Sequence, residues 1–377
     1  MERETLNVYA TFRGNGSTAD AYYRNRYPWS VNLHFAGDRV DLTIGPLDDV
    51  NVMGKDVVLA QRPNTATEEL ILKIVKEQGI PLAVDVDDNL FDIPPTCGDI
   101  FDHYHFRGQH KVDEAGALHA RKPLLHHLRC LRMADVITVP TARLAEDIAP
   151  YIGGTPIFEV LPNYVLRGAW DYIPKLRNRD YGDKPIVAWF GHFYHSHDLQ
   201  WIAPTLADVL PATDAQLLLM GQPEALTLFP AELVQRTLVE NLVPFDQFAT
   251  VRHYIKSADV GICPLMPIRF NRGKSTLKAL QFGAAGVPPV CSAVVYDQLP
   301  ELDDLGLVAG DADQFGEILG RLLADKDERE RLGREWQEIV VTRYCYESLD
   351  YEFDGYPAPQ AMRWYTFARG VANGDYA

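Results

Sequence analysis

The sequence predicts an α/β protein of two parallel-sheet domains facing a cleft. Short apolar runs recur between polar turns and helix-length segments. The alternation pauses once, over the polar stretch 170–184, and then restarts. The length, 377 residues, suits two domains of about 100–200 residues each. In the first half, strands are expected at 6–12, 40–44, 56–60, 80–86, 135–139 and 157–161, with helices at 65–78, 113–133 and 141–148. Strands alternating with helices argue for a parallel sheet covered on both faces. After the pause, strands at 186–190, 216–220, 259–263 and 287–291 alternate with helices at 198–209, 247–256 and 274–285, and 313–344 reads as one long helix. The expected division is a first domain at 1–172, a linker at 173–184, a second domain at 185–345, and a tail at 346–377 that packs back on the first domain. Open α/β sheets bind ligands beyond the carboxyl ends of their strands. Two such edges on one cleft suit an enzyme that joins two substrates.

Composition narrows the classes. With 47% hydrophobic and 23% charged residues, the chain is neither disordered nor fibrous. Acidic residues exceed Lys and Arg by 52 to 36, a net charge of −16, which excludes a general polyanion binder. Five cysteines, an odd number with no C-x-x-C pair, fit reduced thiols rather than a disulfide or zinc framework. The charged start lacks an apolar leader and no run approaches a membrane span, so a cytoplasmic protein is expected.

Residues 270–276 (Phe-Asn-Arg-Gly-Lys-Ser-Thr) contain G-K-S, but the P-loop pattern needs a Gly five residues before Gly273, where Ile268 stands. An ATPase is therefore excluded. The segment still suits phosphate. It follows an expected strand and opens a helix at about Lys274, with Arg269, Arg272, Lys274, Ser275 and Thr276 crowded at that start. A solvated basic turn is the plainer alternative.

Its continuation, Lys278-Ala-Leu-Gln281-Phe-Gly-Ala-Ala-Gly-Val-Pro-Pro-Val290, resembles the donor-site helix of GT-B-fold glycosyltransferases of the retaining family-four (group 1) type. Other stretches resemble that family in the right order: Ala134–Thr141, Val160-Leu-Pro-Asn163, Gly191 with His195 and Asp198-Leu199, and Ala258–Pro264. Val84-Asp-Val-Asp-Asp-Asn-Leu-Phe91 resembles the D-x-D-D-x-L-F stretch of a bacterial and phage branch. The resemblance spans about residues 5–345 and implies two Rossmann-like domains. It implies transfer of a hexosyl or pentosyl group from a nucleotide-sugar, a UDP-sugar by expectation, to a hydroxyl acceptor. Retention of configuration and no metal or other cofactor are also implied.

By resemblance, the donor is met by Gly16, Gly191, His195, Arg269, Asn271, Ser275, Thr276 and Gln281. Arg272 and Lys274, with Asp87 and Asp88, are the catalytic candidates. Tyr23, Arg24, His110 and Arg121 are candidates for the acceptor. Two departures stand out. Gln281 occupies the place of the family's ribose-binding Glu, and the usual Arg and Lys of the loop after Gly191 are absent. Diphosphate charge then falls on Arg269, Arg272 and Lys274. Asp85, Asp87 and Asp88 could hold Mg²⁺ or Mn²⁺, but the resemblance favours sugar or acceptor hydroxyls at Asp87 and Asp88.

Residues 101–132 hold six of the eleven histidines and a local net charge of +3. The window could receive an anionic acceptor, or be a solvated helix face. A saccharide or surface glycan is the first acceptor expected. Hydroxymethylated DNA is the alternative, and a non-catalytic sugar-nucleotide binder is the reading from another class.

Overall fold

The computed structural model describes residues 5–12, 22–47, 52, 54–105, 111–112, 118–119, 123–171, 183–192, 195–240 and 248–376. The chain divides into two compact units, Met1–Asn163 with Tyr351–Ala377, and Tyr164–Asp350. The change falls at 163/164 rather than after 172. Residues 164–171 go with the second unit because Val165 and Trp170 are buried in its core, and Lys256 Nζ donates to Trp170 O at 2.6 Å.

The first unit carries strands β1 (Leu6–Phe12), β2 (Val40–Pro46), β3 (Val57–Gln61), β4 (Leu82–Asp85), β5 (Val136–Val139) and β6 (Phe158–Val160). They form one parallel sheet in the order β2-β1-β3-β4-β5-β6. β3, β4 and β5 are buried at every position, as strands covered on both faces must be. Helix α1 (Tyr27–Ala36) lacks an apolar period and was not expected; it packs with the C-terminal helix, Asn32 Nδ2 donating to Ala361 O at 2.8 Å. Helix α2 (Ala66–Glu77) is opened by a capping box: Thr65 Oγ1 accepts from Glu68 N while the Glu68 carboxylate accepts from Thr65 N. The single helix expected over 113–133 is shorter. Helix α3 is Pro123–Met133, preceded by a hairpin of Lys111–Val112 with Leu118–His119. Helix α4 (Ala142–Ile152) is capped by Thr141.

The second unit repeats the plan with β7 (Ile186–Phe190), β8 (Gln216–Met220), β9 (Thr237–Glu240), β10 (Val260–Cys263), β11 (Pro289–Ser292) and β12 (Val308–Ala309). Its order is β9-β8-β7-β10-β11-β12, all parallel. The chain winds outward from β7 through β9, then returns to lay β10 on the other side of β7. The carboxyl ends of β7 and β10 therefore flank the point where strand order reverses. Helices α5 (Ser196–Ala212), α6 (Phe248–Ser257) and α7 (Leu277–Ala284) serve this sheet. The long helix expected over 313–344 is two, α8 (Ala312–Ala324) and α9 (Lys326–Arg343), because Asp325 leaves helical geometry and caps the second through Glu328 N at 2.9 Å.

Glu69 ties α2 to α3 and gives the fold an acid-sensitive joint. Its carboxylate lies 2.7 Å from Lys73 Nζ, 2.7 Å from His126 Nδ1 and 3.4 Å from Arg129 Nη1. Burial pushes its pKa up, but these donors outweigh that and bring it from 4.5 down to about 2. The folded value lies below the unfolded one. This stabilisation is therefore complete above about pH 4.5 and is lost as pH falls toward about 2. In acid titrations followed by circular dichroism, Glu69→Gln should lower stability at neutral pH and flatten the slope between pH 4.5 and 2. An acid limb identical to the parent's would refute this.

Candidate active site

The switch point of the second sheet is crowded. β7 ends at Phe190, and Gly191 N–H donates to Met220 O at 3.1 Å. A Cβ on Gly191 would lie 2.7 Å from the Trp189 ring and 3.2 Å from Lys278 Nζ; one on Gly221 would lie 2.6 Å from Gly191 O. Only glycine fits such approaches. At the start of α5, Asp198 is 1% exposed. Its Oδ1 accepts from Met266 N at 2.9 Å and Asn271 Nδ2 at 2.8 Å. His197 Nε2 lies 3.3 Å from Oδ1 and His195 Nδ1 3.6 Å from Oδ2. Asp198 thus ties the loop after β10 to the segment after β7, the two sides of the switch point. Burial works to raise its carboxyl, but His195, His197 and the Met266 amide more than offset this and hold it below the usual range.

The loop after β10 forms a one-turn helix, Arg269–Arg272. Phe270 and Asn271 are buried, which leaves Arg269 and Arg272, three residues apart, on the exposed side. Lys274 is turned inward, 8% exposed, its Nζ 4.2 Å from the centre of the Phe270 ring. Helix α7 starts at Leu277 with Thr276 at its N-cap, three residues later than expected. In its first turn, Lys278 Nζ lies 5.1 Å from the Trp189 ring centre and 5.5 Å from that of Phe190. Gln281 follows on the same face and is buried. The helix is set this close to the sheet by glycines: a Cβ on Gly261 would strike the Phe282 ring at 2.5 Å, and one on Gly283 would meet Trp336 Nε1 at 2.5 Å.

The two lysines act on His195. Burial first, then the Lys274 and Lys278 charges, press its imidazole down to about 3 against the pull of Asp198. The ring is neutral at pH 7. The arrangement therefore offers two ammonium groups and an uncharged imidazole beside a glycine-cleared backbone. That set can neutralise a diphosphate and hydrogen-bond an oxygen without adding a third charge.

The structure sets Lys274 and Lys278 near His195, so Lys278 joins the cations expected there, and Arg269 and Arg272 lie on the exposed side of their helical turn. Asn271 builds the loop: its two amide N–H groups serve Asp198 Oδ1 and Met266 O, at 2.8 and 2.9 Å. Ser275 and Thr276 remain partly accessible beside Lys274. Gly16, His110 and Arg121 lie outside the described residues.

In the first unit, Tyr23 and Arg24 are core residues rather than acceptor ligands. Tyr23 is buried edge-on against Tyr27. Arg24 is 1% exposed; it pairs with Asp85, donates to Leu161 O and to Asn163 Oδ1, and stacks 4.7 Å over Trp364 of the C-terminal helix. Asp85 also accepts from Thr138 Oγ1 at 2.6 Å. Beyond it, Asp87 and Asp88 are partly accessible. Asp87 Oδ1 lies 3.1 Å from Arg62 Nη1. The turn is closed by Asn89, which donates to Asp92 Oδ2 at 2.8 Å, and by Tyr151, which donates to Asp92 Oδ1 at 2.5 Å. Asp85 and Asp87 are therefore engaged by arginines, a setting suited to fixed carboxylates rather than to ligands of a cation. In the basic window, His127 Nδ1 lies 2.9 Å from Pro63 O, Arg132 donates to Ile152 O, and His126 and Arg129 share Glu69.

The comparisons agree with this anatomy. Residues 184–325 match the family described as Glycosyl transferases group 1. Sucrose-phosphate synthase from Thermosynechococcus elongatus has a similar structure, with TM-score 0.65 at 14% identity over 98% of this chain and 100% of that one. So has an alpha-glucosyltransferase (AGT) in complex with UDP, with TM-score 0.58 at 12% identity over 91% and 96%. Anabaena HepE in complex with UDP and glucose gives TM-score 0.55 at 13% identity over 90% and 96%. The fold is GT-B, and the match to the group 1 glycosyltransferase family lies within the second unit. No curated protein matches the chain in sequence. No helix among the described residues is long and apolar enough to cross a membrane.

Proposed function

We propose that the protein transfers a sugar from a UDP-sugar to a hydroxyl of a saccharide acceptor, with retention and without a metal. The observation that carries this is the Lys274–Lys278 pair at the β7/β10 switch point, inside the matched domain, beside a neutral His195. The donor diphosphate lies against the two ammonium groups, and Gln281 meets the ribose through its amide oxygen. In the front-face course, the bond from the anomeric carbon to phosphate oxygen breaks as the acceptor oxygen bonds to that carbon on the same face. The acceptor proton passes to the leaving phosphate. Negative charge grows on the diphosphate, and the lysines stabilise it more in the transition state than in the ground state. Asp87 and Asp88 accept hydrogen bonds from sugar or acceptor hydroxyls. A neutral saccharide is preferred over DNA; among the described residues of the basic window, His126 and Arg129 lie against Glu69 and Arg132 donates to Ile152 O.

The test is UDP release from UDP-sugars with and without oligosaccharides or hydroxymethylated duplex DNA, with the product anomer read by NMR. Release stimulated by an oligosaccharide and a retained anomer support the proposal. Turnover in excess EDTA should match that in its absence; a loss restored by Mn²⁺ would move Asp85, Asp87 and Asp88 to a metal site. No donor cleavage with any acceptor would leave a binding protein.

A further inference from the structure

Arg62 stands at the carboxyl end of β3, and the order β2-β1-β3 makes this the switch point of the first sheet. Its φ is +44°. The other non-glycine residues with positive φ among the described residues, Asp214 and Asp354, are of a type that tolerates the left-handed region through local hydrogen bonding. An arginine there is strained, because its Cβ crowds the carbonyl oxygen. The surroundings hold it in place. Its N–H donates to Asp85 O at 3.0 Å. Its Nη1 lies 3.1 Å from Asp87 Oδ1, with the side chains 10% and 13% exposed. Its Nη2 donates to Tyr104 OH at 3.4 Å, which also accepts from Asn64 Nδ2 at 3.0 Å. Glycine would make this turn without strain. A buried guanidinium kept there under strain, 3.1 Å from a carboxylate of the D-x-D-D stretch, calls for a reason beyond the turn.

We infer that Arg62 is a positioning residue for the transfer reaction. It fixes the Asp87 carboxylate, leaving Asp87 to orient a sugar or acceptor hydroxyl. This rests on the reading of Asp87 in the proposed function. Arg62 acts through Asp87.

The test uses the full chain with UDP-glucose and the best oligosaccharide acceptor. Arg62→Gly, which suits the backbone, should keep the parent circular dichroism spectrum and UDP affinity. Its kcat should fall about 100-fold, or its acceptor KM rise tenfold or more, with the donor KM within twofold of parent. Arg62→Lys should recover part of the loss. Asp87→Asn should show the same pattern, and the double variant should be little worse than either single one, since positioning and positioned groups act as a unit. Additive losses, or Arg62→Gly within twofold of parent while Asp87→Asn is impaired, would overturn the inference and leave the role of Asp87 standing. Parent-like Asp87→Asn would overturn both. Should Arg62→Gly not fold, Arg62→Lys decides. A tenfold lower kcat with unchanged UDP affinity supports the inference; an unchanged kcat overturns it.

Discussion

Lys278→Ala should lower kcat for sugar transfer by about 100- to 1,000-fold, the cost typical of removing one preorganised group from developing negative charge. The donor KM should rise only several-fold, because the charge is greater in the transition state than in bound donor. Lys274→Ala should behave similarly, and Arg272→Ala, on the exposed side of its helical turn, should stay within twofold of parent. The same variant has a second readout. Burial and two lysine charges hold His195 at about 3; with Lys278 gone, the imidazole should titrate at higher pH, toward the ordinary histidine value, in an NMR titration of histidine-labelled protein. Parent-like kinetics in Lys278→Ala would take this lysine out of the diphosphate site. A loss confined to Arg272→Ala would restore the exposed arginines to it.

Arg24→Ala should destabilise the first unit by about 3–5 kcal/mol, because it leaves the Asp85 carboxylate buried without its partner. The guanidinium joins the segment before α1, the end of β4, Leu161 and Asn163, and the Trp364 ring, so its loss should loosen the C-terminal helix as well. For a unit of this size, the fall in Tm is on the order of 10 °C. Arg24→Met combined with Asp85→Leu should recover part of the loss, since removing both charges avoids the unpaired one. Differential scanning calorimetry decides: a loss under about 1 kcal/mol would mean that water or another group reaches Asp85, and that the network is not a stability element.

The strands were legible where they are buried on both faces. Val57–Gln61, Ile186–Phe190 and Val260–Cys263 read as continuous apolar runs because helices cover both sides of the sheets. The two edge strands of the second sheet gave no such run. Thr237–Glu240 is only partly buried and Val308–Ala309 is two residues long, and neither was expected. Helix Tyr27–Ala36 escaped because polarity does not follow burial along it: Asn32 is buried while Leu33 and Phe35 are exposed, so the sequence shows no apolar stripe. Helix Met362–Asn373 lies in a tail whose sequence had shown no clear period. Gly191, His195, Lys274 and Gln281 could be found from motif order, since each occupies a fixed offset from a strand or helix end. Lys278 stood in the same motif and was passed over. Its spacing is that of any exposed helix lysine, and only the Trp189 and Phe190 rings beneath it reveal where its ammonium lies.

By itself, the sequence determined the two α/β units, their strand-to-helix alternation and the class of chemistry. Those follow from local periodicity and from short motifs in order, which a chain carries wherever it later folds. Only the tertiary structure decided which charges are brought together. It turned Lys274 inward against the Phe270 ring while leaving Arg269 and Arg272 exposed, and it spent Arg24 on Asp85 and Arg129 on Glu69. It also set Lys278 beside Gly191 and faced Arg62 toward Asp87. A cation's role depends on which carboxylate, ring or backbone edge lies within a few ångströms, because charge interactions in water fade over about that range and strengthen once water is excluded. Residues 62 and 87, or 191 and 278, become neighbours only through sheet order and helix packing.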